Sequence, residues 1–506
     1  MAESASRSGQ LGERRLGTIH AVAQALAIGP MFSVALVLFL VSNPDTGAKF
    51  NTALSVLIAG LGVLAIAYAI SLFARRYAGA GAVYEYLTHG AHPSVGVFTA
   101  GLFFVGTLFL GGGGIYVGLG ILTQGFWVNH IDDTGTPPDW WIFALIFLAI
   151  TLVLSYIGVR LAISAMLTFA AISFTAMSIL AVAIIVQGGE SGNTLQMFNP
   201  GTTSVGAVFG GVMLGILLFV GFEAAASIGE ESAEPHKSIP RALIGAVAAS
   251  AAFYVLMAYA ISVGLGKEAV DQGAWLDPVV LNNLAEKYVA SWFSGVIDIV
   301  VILDALALAL AICVTIGRGY FALGRDGLLP SFFAKTSRHN TPWVGNLMVV
   351  VGCVGLIAIS EWTSTMDKFV PIFGSKEFST FIVSATAGSF AIELVYLILA
   401  FAAFGLLAKH GGTWWQYLIV AIAVATPILG FYGALDPAPH DGNNPNWLAF
   451  YWALAVVVLS AVWYGLMQVW KPERIRNAAS HAAVHRGVAP LDEQLDYSPA
   501  PPDTTV

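Results

Sequence analysis

Apolar residues run through this chain in blocks of about twenty, divided by short polar breaks rather than by an alternating pattern. A block of that length spans a bilayer as a helix, whereas a barrel strand needs about ten alternating residues. About twelve such blocks are present, near 17–41, 52–74, 95–123, 140–157, 162–186, 207–229, 240–264, 291–317, 343–360, 379–407, 414–434 and 447–470. The predicted fold class is an all-α integral membrane protein with about 12 transmembrane helices.

Two blocks are interrupted. "LLFVGFEAAASIGEES" (217–232) places Gly221 and Glu223 in the middle of the sixth. "AVAQALAIGPMFSVALVLF" places Gly29-Pro30 in the middle of the first. Proline removes a backbone donor and clashes with the preceding turn, and glycine tolerates unwound geometry. Two long connections, 75–93 and 266–288, lie five spans apart on opposite faces. Together these features point to two inverted five-helix repeats, 17–186 (helices 1–5) and 207–407 (helices 6–10), with discontinuous helices 1 and 6. Two peripheral helices (414–470) follow, between a 1–16 cytoplasmic N-terminal tail and a 471–506 disordered cytoplasmic tail. Broken helices at corresponding positions of two repeats are a pointer to a transporter's binding site.

Composition agrees with a membrane chain: 57% hydrophobic and 10% charged, where a soluble domain carries roughly 25% charged residues. The net charge of -8 resides in loops and tails. Lysine and arginine orient the chain. Lys49, Lys267, Lys287, Lys368 and Lys376 fall on one side, and every other one of the 22 basic residues on the side of the termini. By the positive-inside rule both termini are cytoplasmic, in a multi-pass protein of the cell membrane. The N-terminal apolar run is too long for a signal-peptide core. Cys313 and Cys353 lie in apolar runs, so no disulfide framework is expected.

Three motifs carry a resemblance. "GFEAAASIGEESAEPHKSIPRALI" resembles the sixth-helix signature of the amino acid–polyamine–organocation (APC) superfamily. "GRGYFALGRDGLLPSFFAKTSRHNTPW" (317–343) is similar to the segment leaving that family's eighth helix, and "ARRYAGAGAVYEYL" to its loop after the second. The resemblance covers roughly residues 14 to 470 and implies a bacterial-type amino acid permease working by alternating access, with substrate between the breaks of helices 1 and 6. One departure stands out. Where the family carries a second glycine step on helix 1, this chain has Ser33, Val34 and Ala35, which bears on how closely a substrate carboxylate approaches the backbone.

Unwound helix ends expose amides to anions and carbonyls to ammonium groups. The substrate-binding candidates are therefore Ile28, Gly29, Pro30, Met31 and Ser33, with Phe219, Val220, Gly221 and Phe222. Phe219 or Phe222 is either a gate over the substrate or ordinary packing. Intramembrane acids are functional candidates by default. Glu223 either holds the break in shape or carries the coupling proton. Asp304, Ala311, Thr315 and Arg318 share one helical stripe, within about 40°. Asp298 lies on another face near the outer end. Glu393 shares a face with Ser389 and Thr386. The ion or proton coupling candidates are Glu223, Asp304, Thr315 and Glu393. Proton-coupled relatives often carry a lysine where Ser173 stands here, and Thr315 alone is thin for a sodium site, so proton symport or exchange (antiport) is expected and sodium disfavoured.

Two further features have paired readings. "GGGG" at 111–114 either permits close helix contact or takes part in binding. Glu230 and Glu231 either pair with Arg14 and Arg15 as an inner gate or stand as solvated charges. The histidines all lie in loops, tails or span ends, and no phosphate-cradling Gly-x-x-x-x-Gly-Lys-Ser/Thr loop exists. No enzyme activity, metal, cofactor or nucleic acid partner is therefore expected. The functional expectation is a secondary active transporter of an amino acid or related amine. A polyamine or organic cation permease, a channel or a non-transporting nutrient sensor on the same fold remain open.

Overall fold

The computed structural model describes residues 11, 16–26, 29–44, 47–131, 136–277, 279–435, 444–480 and 483–484. These contain 12 helices long and apolar enough to cross a membrane. Lipid offers no partner to a backbone amide, so crossing segments satisfy their own hydrogen bonds as helices. In chain order, spans 1 to 12 are Thr18–Leu36, Lys49–Ala74, Pro93–His130, Trp140–Ile157, Arg160–Gln187, Val205–Glu231, Pro235–Leu265, Ser291–Arg325, Trp343–Trp362, Lys376–His410, Trp414–Tyr432 and Pro445–Trp470.

Spans 3 and 8 exceed their expected ranges. Span 8 continues about two turns beyond residue 317, taking in Arg318 and Arg325, which the sequence reading placed outside every span. Both arginines are held there by glutamates of span 6.

Helix packing follows a five-span rule. Span 7 packs along span 2. Spans 1 and 7 touch as spans 6 and 2 do; spans 5 and 8 as spans 10 and 3; spans 4 and 8 as spans 9 and 3. The two long connections match too. Val83–Gly90, a short helix between spans 2 and 3, lies against span 3, and Val280–Tyr288, between spans 7 and 8, lies against span 8. Span 8 is central, with 83% of its apolar window buried, whereas spans 11 and 12 have 28% and 17% and turn most of their surface outward.

The segment before span 1 and the described residues after span 12 lie on one face, as an even number of crossings requires. Leu16 N donates to Glu231 O at 3.1 Å, and Ala233 N donates to Leu16 O. Ala483 and Val484 pair antiparallel with Ala78 and Tyr77.

Glycine permits the closest helix contacts. A Cβ on Gly111 would lie 2.1 Å from Ile312 of span 8, and one on Gly113 2.5 Å from Leu356 of span 9. The segment Leu108–Gly114 is a widened π turn. The glycine run therefore serves as a packing surface.

Candidate functional site

Span 1 is two helices. Thr18–Leu26 ends before the break, Gly29 adopts φ 62°, and Pro30–Leu36 begins with its proline at the first helical position. Ile28 lies outside the described residues. A side chain at Gly29 would be strained by that φ and would also meet Leu308 Cδ2 at 2.9 Å. The new helix start leaves amides without helical partners. Met31 N and Phe32 N both donate to Asp304 Oδ2 of span 8, at 2.9 and 3.0 Å.

Span 6 loses its α-helical bonding after Leu217. Leu218 N, Phe219 N and Val220 N bond three residues back, Gly221 adopts φ 118°, and Phe222–Glu231 is wound more tightly as a 3-10 helix. Gly221 N donates to Glu223 Oε2 at 3.0 Å, and the Tyr396 hydroxyl of span 10 donates to the same oxygen. Tyr254 of span 7 donates to Leu218 O at 2.8 Å. Glu223 is thus engaged by the opened backbone.

Between the breaks lies a cavity of about 40 Å³, room for about three water-sized bodies. Ser33 and Val220 line it, with Phe32, Leu308, Ile312 and Phe381 among its apolar walls. Phe219 and Phe222 are not in the lining. Phe219 meets Tyr254 edge-on at 5.1 Å and Phe222 lies 5.7 Å from Tyr396, both buried. The aromatic side chains at the cavity are Phe32 and Phe381, edge-on to each other at 5.5 Å. Phe381 stacks on Phe378 and Phe378 on Phe39, which closes the side away from the chain ends.

The remaining candidates fall around this centre. Thr315 Oγ1 donates to Ala311 O, accepts from Gln24 Nε2 of span 1 and meets Ser227 Oγ of span 6. Gln24 also donates to Ala311 O at 3.0 Å. It is the sole polar side chain in "AVAQALAIGP", a signal the sequence reading passed over. Glu393 is buried on span 10, one turn beyond Ser389, and its Oε2 sits against Gly430 of span 11. Ser173 Oγ donates to Val300 O of span 8 at 2.9 Å. Asp298 pairs with His130 at 2.8 Å, tying the end of span 3 to the first part of span 8.

A charged layer closes the side of the chain ends. Arg318 pairs with Glu231 at 2.6 Å, both side chains buried. Arg325 holds both oxygens of Glu230, at 2.6 and 3.0 Å. Glu230 and Glu231 are therefore not solvated charges: among the described residues their ion-pair partners are on span 8, and Ala80 N, after span 2, also donates to Glu230 Oε1 at 3.1 Å; Arg14 and Arg15 lie outside those residues. Glu85, on the short helix after span 2, accepts from Gly81 N and sits 4.0 Å from Arg325. Its burial, and then the neighbouring Glu230 carboxylate, push its pKa up to about 8 against the pull of Arg325. Asp326 Oδ2 accepts from Tyr84 and from the amide of Ala479, so the C-terminal segment is fastened to the same layer.

Comparisons with known proteins identify the family. The family model for amino acid permeases matches residues 22–480. A branched-chain amino acid permease of Bacillus subtilis is 31% identical over 179 residues, covering 33% of this chain and 37% of that protein. The match thus spans little more than a third of that relative. An uncharacterized transporter of Mycobacterium tuberculosis is 26% identical over 393 residues, 75% of this chain and 80% of its own. A polyamine transporter of Arabidopsis thaliana is 26% identical over 167 residues, 32% of each chain. With twelve membrane-length helices and a family model running along nearly all of them, this multi-pass membrane protein belongs to the amino acid permease family of the APC superfamily.

Proposed function

We propose that the protein is a secondary active transporter that moves an amino acid or related amine across the cytoplasmic membrane by alternating access, driven by a proton or by exchange. The observation that carries this reading is that residues of both broken spans, Phe32 and Ser33 of span 1 and Leu217 and Val220 of span 6, line one small cavity, with an aromatic stack on one side of it and an ion-paired layer on the other. The closures differ in chemistry. One is an aromatic stack of Phe381, Phe378 and Phe39, and the other is the ion-paired layer of Glu230, Glu231, Arg318 and Arg325. Alternating access opens one while the other holds. Residues 17–186 and 207–407 act as the two repeats that rock against each other, both termini facing the cytoplasm. Ser33 and Val220, which line the cavity, and Gly29, Pro30, Met31 and Gly221 at the breaks beside it are the binding candidates, with Phe219 and Phe222 packed behind; Ile28 remains a candidate from the sequence, outside the described residues. Glu223, Asp304 and Glu393 are the candidates for the coupling proton; Thr315 joins spans 1, 6 and 8.

Counterflow in proteoliposomes tests the proposal. Liposomes loaded with a mixture of unlabelled amino acids and amines should accelerate entry of a labelled member, whereas a channel or a sensor gives no such acceleration. A Glu223→Gln variant whose uptake keeps the wild-type pH dependence removes that residue as proton carrier.

A further inference from the structure

The amides that an unwound helix start offers to an anion are already taken in this chain. Met31 N and Phe32 N both point at Asp304 Oδ2, so a carboxylate belonging to the protein stands where the carboxylate of an amino acid would be held. The other oxygen of Asp304, Oδ1, is buried and has no hydrogen-bond partner among the described residues. A buried carboxylate with one bare oxygen lacks a positive partner. Asp304 stands one turn from Leu308, and Phe32, whose amide it holds, lines the same cavity as Leu308. The rest of the cavity wall is carbon except for Ser33 and Ser389.

We propose that the site takes a monoamine cation that has no carboxylate, its ammonium paired with Asp304 Oδ1 and its short carbon body lying against Phe32, Leu308, Ile312 and Phe381. This rests on the transporter reading and names the substrate class for the same cavity. An ammonium supplies the donors and the charge that Oδ1 lacks. A zwitterion brings a second carboxylate with no free amide at the start of Pro30–Leu36 to receive it, so it is repelled by the charge already there. A diamine brings a second cation with no second acid in the cavity wall to meet it. Glu223 Oε2 is engaged by Gly221 N and Tyr396, and Glu393 Oε2, although it too is buried without a hydrogen-bond partner among the described residues, sits against Gly430 of span 11. Ser33, Val34 and Ala35, standing where a glycine step is expected, leave less room for a substrate carboxylate, in keeping with this assignment.

The test uses matched pairs differing only in the carboxylate: valine with isobutylamine and leucine with isopentylamine, with putrescine as the diamine. Each is titrated into the purified full chain in detergent and binding is read as a rise in melting temperature, which follows concentration over dissociation constant. Isobutylamine and isopentylamine should stabilise the protein, at concentrations at least about tenfold below any at which valine, leucine or putrescine does. Asp304→Asn keeps an oxygen for the two amides but loses the charge, and should raise the apparent dissociation constant of the amines about a hundredfold. The proposal is overturned if valine or leucine stabilises the protein at or below the amine concentration, or if Asp304→Asn binds the amines as the wild type does. The wild-type series decides the matter even if the variant does not fold. Should leucine show counterflow while the amines neither bind nor compete, the transporter reading stands and the assignment of a monoamine falls. Should no amine or amino acid bind or exchange, both fall.

Discussion

In span 1 the bared amides of Met31 and Phe32 turn to a carboxylate on another span, Asp304, which follows Phe32 by 272 residues. In span 6 the bared amide of Gly221 turns to Glu223, two residues on, with Tyr396 closing the set. Both breaks meet the same physical demand, since an unpaired amide inside the membrane is costly and a carboxylate oxygen accepts more than one donor. The difference lies in what each cap is tied to. The span 6 cap travels with its own backbone and keeps its shape wherever that span goes. The span 1 cap belongs to span 8, so any movement of span 1 against span 8 strains or releases two amides together. Under the proposed alternating access, the interface of spans 1 and 8 is where substrate and conformation would be coupled.

The largest expected effect comes from closing the breaks themselves. Gly221→Leu forces a branched side chain into φ 118°, and Gly29→Leu adds a clash with Leu308 to the strain. Either should cut the counterflow rate roughly a hundredfold, the scale of loss that follows from displacing a binding group by about an ångström. Wild-type rates in either variant would remove that break from the transport path.

Next in size is the contrast between the two caps. Asp304→Ala strands two fixed amides and should lower unfolding stability in detergent by about 1–3 kcal/mol for each. Glu223→Ala strands one amide and one hydroxyl that can rotate to another acceptor, so it should cost less. Equal losses would mean that the distant cap holds no more firmly than the local one.

A third measurement separates the breaks from the charged layer. Glu85 is protonated in the folded protein up to about pH 8, against an ordinary value of 4.5. Its contribution to stability is complete below about pH 4.5 and is lost as pH rises to about 8. Glu85→Gln should therefore flatten the fall of melting temperature with pH across that window. An unchanged slope in the variant would assign the pH dependence to other groups, the carboxylates at the breaks included.

Tyr396→Phe should have the smallest effect. It removes one of two donors to Glu223 and leaves the Gly221 amide in place, with an expected loss of about 1 kcal/mol in the same unfolding assay. A loss matching that of Glu223→Ala would show that the hydroxyl, rather than the local backbone, holds the span 6 break.

The sequence by itself determined the number of the spans and roughly where each lies, though not the far ends of spans 3 and 8, because a bilayer demands some twenty apolar residues per crossing and tolerates few exceptions. It also determined where spans 1 and 6 come apart, since glycine beside proline and glycine beside a glutamate leave local marks. The short-range cap of Glu223 on Gly221 was legible for the same reason, as both partners sit within one turn. Tertiary structure alone decided the partner of Asp304, the burial of Glu230 and Glu231 against Arg325 and Arg318, the packing of Glu393 against span 11, and Phe32 and Phe381 rather than Phe219 or Phe222 as the cavity's aromatic wall. Each of those depends on which faces of distant spans meet. Helical periodicity places a residue on a stripe but does not say which neighbouring helix that stripe will touch.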